Sequence, residues 1–97
     1  MTDITAIDIV EETAMFFKVL GDPTRLRIVN QLYRGELCVN DISESIGLSV
    51  SAISHQLALL KRARLVASRR DGKSVIYRLS DNHVETIVGA AQEHLGE

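Results

Sequence analysis

The 97-residue chain predicts a mainly α fold with one small β-hairpin. Three observations carry that expectation. Apolar residues recur at helical spacing through the first two thirds, alternate over residues 65–79, and return to helical spacing after Ser80. Asp71-Gly72 lies between two strand-like runs, where a two-residue type I′ loop favours this dipeptide. Gly21, Pro23, Gly35 and Gly47 punctuate the helical part.

The elements follow in order. A first helix is expected from about Thr5 to Leu20, with Ile7, Val10, Ala14, Phe17 and Val19 as its apolar stripe, stopped by Gly21. Asp22-Pro23 reads as N-cap and first residue of a second helix, whose buried face is Leu26, Ile28, Val29 and Leu32 and whose end is Gly35. Asn40 can cap a short third helix to Ile46, with Gly47 as its C′ residue. Ser49 can cap a fourth, about Val50 to Arg62, with Ile53, Leu57 and Leu60 turned inward. The turn Gly47-Leu48-Ser49 between those two helices gives helix-turn-helix geometry. Residues 65–70 and 73–79 form the hairpin, with Val75, Tyr77 and Leu79 on one face and Ser74 and Arg78 on the other. Ser80 then caps a final helix. A helix-turn-helix followed directly by a hairpin is a winged helix.

Length predicts one domain, of a size whose core gains from dimerisation. No apolar run is long enough to cross a membrane, and the acidic start MTDITAIDIVEE lacks the basic region of a secretory signal. The single cysteine, Cys38, cannot form an internal disulfide, which fits a cytoplasmic setting.

The net charge of −2 hides an asymmetry. Residues 1–60 hold four basic and eight acidic residues, net −4. Residues 61–79 hold seven basic residues against Asp71 alone, net +6. Residues 80–97 hold four acids and no Lys or Arg, net −4. The basic block is either a footprint for phosphate or a solvated charged face. The fourth helix decides between them. Val50, Ser51, Ser54 and His55 point outward near its N-terminus, and side chains this small let a helix sink into a major groove. Any one of these serines could simply cap or solvate a helix start. Together with Arg69, Arg70 and Lys73 around the hairpin turn, able to reach phosphate or the minor groove, the arrangement points to double-stranded DNA. Two-fold pairing would duplicate the basic block, so binding should weaken steeply with salt. An enzyme is not expected. Adjacent Ser54 and His55 diverge on a helix, no third orienting acid is evident, and no small organic substrate is implied.

Leu20-Gly21-Asp22-Pro23-Thr24-Arg25-Leu26-Arg27-Ile28, Glu36-Leu37-Cys38-Val39, Leu48-Ser49-x-Ser51-x-Ile53-Ser54-His55-Gln56-Leu57 and Arg70-Asp71-Gly72-Lys73-x-x-x-Tyr77-x-Leu79 together resemble the ArsR/SmtB family of metal-sensing repressors. The likeness covers about residues 12–97. It implies a homodimeric winged helix-turn-helix over residues 1–97, with the first and last helices as dimerisation helices. It also implies a repressor that holds its operator metal-free and leaves it on binding metal, releasing genes for metal efflux or sequestration.

The tail SDNHVETIVGAAQEHLGE holds Asp81-x-His83 and His94-x-x-Glu97. Taken alone, Asp81 also suits the helix dipole without any metal, and His94 and Glu97 could be solvated. His83 and His94 are eleven residues apart, roughly 16 Å along a helix, so one ion cannot bridge them within a chain. If a second copy of the helix runs antiparallel, Asp81 and His83 of one chain meet His94 and Glu97 of the other. The four positions match the family's C-terminal-helix metal site, which implies two shared sites per dimer for Zn(II), with Co(II) able to substitute. The family further implies that the free ring nitrogen of His94 bonds the main-chain carbonyl of Arg64 in the opposite subunit. Alternatives are a purely structural zinc and a sensor of another metal such as nickel or cobalt. A closed four-ligand site leaves no open position for catalysis.

Departures from the family narrow the choice. Asn40 stands where some members carry a second cysteine, and the N-terminal arm has neither Cys nor His, so a thiolate-rich site is not expected. Cys38 is expected to be a small buried side chain, and one cysteine argues against a dithiol redox sensor. Nickel sensors recruit further tail histidines, and this sequence ends at Glu97.

Overall fold

The structure is a computed structural model that describes residues 4–96, so Glu97 lies outside it. Five helices and three strands follow in the order α1 (Ile4–Leu20), α2 (Pro23–Arg34), β1 (Leu37–Cys38), α3 (Val39–Ile46), α4 (Val50–Arg62), β2 (Val66–Asp71), β3 (Ser74–Leu79) and α5 (Asn82–Gly96). The strands form one antiparallel sheet in the order β1-β3-β2. The expected winged helix-turn-helix is therefore present, with the hairpin enlarged by a two-residue strand too short to leave a periodic signal.

The caps explain most boundaries. Asp22 accepts the N–H of Arg25 at 3.0 Å ahead of Pro23, and Ser49 accepts the N–H of Ala52 at 3.1 Å. Gly47 closes α3 in the left-handed region at φ 86°, where a side chain would be strained. Two expected caps are displaced. The N-cap of α3 is Cys38, without a side-chain bond, so Asn40 lies inside the helix. The start of α5 is capped by Asp81 instead of Ser80: its Oδ1 accepts the N–H groups of His83 (2.9 Å) and Val84 (3.3 Å).

The hairpin turn also shifts by one residue. Asp71 pairs with Ser74, so the loop is Gly72-Lys73 instead of Asp71-Gly72. Among its central residues only Gly72 has a positive φ, 63°, as in a type II′ turn with glycine first. Each pairing thus moves by two residues, which leaves the faces unchanged. Val66, Ser68 and Arg70 stand opposite Leu79, Tyr77 and Val75.

The core is built by α2, α3, α4, the sheet and α5. Ile28, Val29, Ile42, Ile53, Leu57, Leu60 and Leu65 are fully buried, with Val84 and Val88 from α5 beside them. Each such side chain contributes roughly 1.5–3 kcal/mol by leaving water. Helix α1 behaves differently from its expected stripe. Phe16, Val19 and Leu20 pack on the core, while Val10, Ala14 and Phe17 face solvent along with Ile9 and Met15. The side chain of Ile7 lies outside the described residues. Cys38 is half-buried, because its neighbour across the ladder, Ile76, lies on the outer sheet face. None of the described helices is long and apolar enough to cross a membrane.

Candidate nucleic-acid interface and metal centre

Burial of Ile53, Leu57 and Leu60 fixes the rotation of α4. Val50, Ser51, Ser54 and His55 are consequently all exposed at its N-terminal half, on the side away from the core. Helix α4 is braced from two directions. Arg25 donates through Nε to the carbonyl of Val19 (2.7 Å) and through a terminal nitrogen to Oε1 of Gln56 (3.1 Å), tying the end of α1 to the helix next to His55. At the other end, Lys61 Nζ donates to Ser68 Oγ on β2 at 2.8 Å.

The wing carries Arg69, Arg70 and Lys73, all exposed. They are not equivalent. Arg69 donates to Oε1 of Glu36 at 2.7 Å, with Asp71 at 4.0 Å. The hydrogen bond and charge of Glu36 raise the Arg69 pKa above its ordinary value. Among the described residues, Arg70 and Lys73 have no such counter-ion.

Arg64 joins helix and wing. Its N–H bonds the carbonyl of Lys61 (3.0 Å) and the N–H of Leu65 bonds the carbonyl of Leu60 (2.9 Å). These two bonds, with Leu60 and Leu65 both buried, make a Schellman motif with Arg64 at C′. Its φ of 63° is the left-handed conformation usually left to glycine.

Asp81 and His83 converge at the start of α5. While Oδ1 of Asp81 caps the helix, its Oδ2 stands 3.4 Å from Nδ1 of His83. Desolvation opposes ionisation of Asp81, but the N–H of Val84 and the ring and N–H of His83 together hold its carboxyl below the usual value. Two donors on a tetrahedral zinc ion are about 3.3 Å apart, so this pair suits one edge of such a site. Both side chains line an open cavity of about 450 Å³ that also meets Met15, Phe16, Phe17 and the junction residue Arg64. His94 is exposed near the other end of α5, where Leu95 is 81% exposed and Gln92 donates to Asn30. Glu97, the fourth expected ligand, lies outside the described residues. Among those described, no three His, Cys, Asp or Glu side chains converge within one chain. Asp81 and His83 thus have open space beside them, and among the described residues no third such side chain joins them within the chain.

Comparison with known proteins places this geometry in context. The model of the bacterial regulatory protein, arsR family, matches residues 22–68, from the cap of α2 into β2. The chain is 43% identical over 95 residues to a transcriptional repressor SmtB homolog of Synechocystis, covering 98% of this chain and 72% of that protein. It is 41% identical over 87 residues to a cadmium resistance transcriptional regulatory protein CadC homolog of Staphylococcus aureus, covering 89% and 72%. Among solved structures, the homodimeric winged helix-turn-helix DNA-binding domain of a possible ArsR-family regulator from Mycobacterium bovis superposes with a TM-score of 0.93. That match has 29% identity and covers all of this chain and 89% of the other.

Proposed function

The chain belongs to the arsR family of bacterial regulatory proteins, the ArsR/SmtB repressors, and on that premise we propose that it is a zinc-responsive transcriptional repressor acting as a homodimer. Metal-free, it holds operator DNA; Zn(II), or Co(II) in its place, releases it and derepresses metal efflux or sequestration genes. The observation that carries this reading is the 3.4 Å approach of Asp81 Oδ2 to His83 Nδ1 beside an open cavity.

The whole chain acts as one DNA-binding domain with α1 and α5 as dimerisation helices. Exposed Ile9, Val10, Met15 and Phe17 on α1, with Leu95 on α5, form apolar surface that a second copy covers. An antiparallel partner α5 brings His94 and Glu97 to Asp81 and His83, giving two equivalent sites. Bound metal would supply a fixed charge and fixed bond directions that cross-link the two chains.

The remaining steps belong to the protein. Asp81 and His83 share their cavity with Arg64, so the partner's His94, reaching that site, arrives beside the junction of α4 and β2. With one ring nitrogen engaged, His94 turns its N–H to the Arg64 carbonyl. The junction is a left-handed residue between the DNA-reading helix and the wing, so a new bond there biases how the two are presented. Val50, Ser51, Ser54 and His55 read base edges or phosphates, while the wing turns Arg70 and Lys73 to the backbone, and Arg69 joins them only when its pair with Glu36 opens. DNA must in turn weaken zinc binding by the factor by which zinc weakens DNA binding.

The test is operator binding with and without stoichiometric zinc, for the parent and for His94→Ala. Tight metal-free binding, loss with zinc, and a variant that binds DNA but ignores zinc are expected. Unchanged operator affinity of the parent on adding zinc rejects the sensor reading.

A further inference from the structure

The ion pair between Arg69 and Glu36 spans the whole sheet. Arg69 on β2 stands opposite Ile76 on β3, and Ile76 stands opposite Cys38 on β1. Glu36 lies just ahead of β1, two residues before Cys38, and accepts from Arg69 at 2.7 Å across 33 positions of sequence. Of the three cations around the wing turn, the one nearest the protein body is therefore already neutralised. Arg70 and Lys73, nearer the tip, have no ion pair among the described residues.

We propose that Glu36 sets the DNA affinity of the wing by holding Arg69 across the sheet and away from the phosphate backbone. The proposal rests on the reading that the wing meets DNA. Both side chains are about half exposed, 53% and 45%, and an exposed pair of this kind is weakly held and screened by salt. It is a restraint that can open. An open Arg69 adds one phosphate contact and the counterion release that accompanies it. A restrained wing also serves release. Coupling between ligand sites is modest in size, so metal displaces a moderately bound repressor far more completely than one bound with every available cation.

Phosphate contacts do not depend on sequence, so the test uses a duplex of arbitrary sequence and metal-free protein at several salt concentrations. Glu36→Gln should bind more tightly than the parent, and its plot of log affinity against log salt should be steeper by about 0.9 for each Arg69 set free. In an Arg69→Gln background the same change should have no effect. Unchanged affinity and slope in Glu36→Gln overturn the proposal. Weaker binding also overturns it, since Glu36 would then be presenting Arg69 to DNA. An equal gain in the Arg69→Gln background reduces Glu36 to a bare repulsive charge and overturns it as well. The underlying reading has its own control: Arg70→Gln with Lys73→Gln should flatten the parental slope, and failure to do so shows that the wing does not touch DNA. Thermal melts confirm that the variants, altered only at exposed positions, remain folded.

Discussion

Oδ2 of Asp81 lies 3.4 Å from Nδ1 of His83, while Oδ1 of the same carboxylate accepts the N–H groups of His83 and Val84. One side chain thus starts α5 and, in the proposed metal site, would also supply one of the four donors. The two duties separate by substitution. Asp81→Asn keeps a capping oxygen and loses the anionic donor; Asp81→Ala loses both. Without metal, melts should place Asp81→Asn close to the parent and Asp81→Ala lower by roughly 4–8 °C. Neither should retain parental zinc affinity in a competition titration. An Asn variant as unstable as the Ala variant refutes the cap.

Acidification acts separately on the cap at Asp81 and on the proposed metal site. The folded-state pKa of Asp81 is lowered, so its contribution to stability is present above the unfolded value of about 3.9 and disappears as pH falls through the folded value. The melting temperature of the parent should therefore fall relative to that of Asp81→Asn only in strong acid. Zinc binding should fail before the fold does as pH falls, because protons compete with zinc for its histidine ligands. Zinc affinity that does not weaken on acidification removes His83 and His94 from the site.

Arg64 is tested through its backbone. Arg64→Gly relieves the left-handed strain but loosens the unfolded chain, so urea titration should find it within about 1 kcal/mol of the parent. Arg64→Val forces a β-branched residue into the same conformation and should cost roughly 1–3 kcal/mol. Equal stabilities of the two variants would contradict the left-handed assignment.

The exposed face of α1 predicts the assembly. Phe17 is 53% exposed in the protomer, and Phe17→Asp places a charge where a second copy is expected. Sedimentation equilibrium should show dimer dissociation raised by roughly thirtyfold or more. Zinc affinity should fall with it, since each proposed site draws on two chains. A monomeric variant with parental zinc affinity rules out shared sites.

Local signals made most of the fold legible. Gly47, Ser49 and the spacing of Ile53, Leu57 and Leu60 all lie within one turn of what they specify, so the turn and α4 agree residue for residue, while α3 begins one residue earlier than expected, behind Cys38. Sequence and structure part where neighbouring residues compete for one role. Ser80 and Asp81 can both cap α5, and only the longer reach of the carboxylate takes two amides. Asp71-Gly72 and Gly72-Lys73 are both acceptable loops, and pairing across the whole ladder selects the second. The stripe of α1 was visible, but not that most of it faces outward, because periodicity does not say what covers a face. Glu36 with Arg69 and Arg25 with Gln56 left no trace, being polar contacts between residues 33 and 31 positions apart. Arg64 was singled out through family resemblance alone, since nothing in its side chain announces a left-handed backbone.

The double duty of Asp81 also bears on how such a protein can diverge. A shift toward softer ions calls for sulfur donors. Cysteine at position 81 would leave the amides of His83 and of buried Val84 without their carboxylate cap, so the change would be opposed by folding before metal choice came under selection. His94, on the exposed last turns of α5, carries no comparable obligation among the described residues. In the proposed site, new preferences are therefore easiest to acquire at the far end of the helix, where a ligand could be exchanged, while the near end is inherited with the fold.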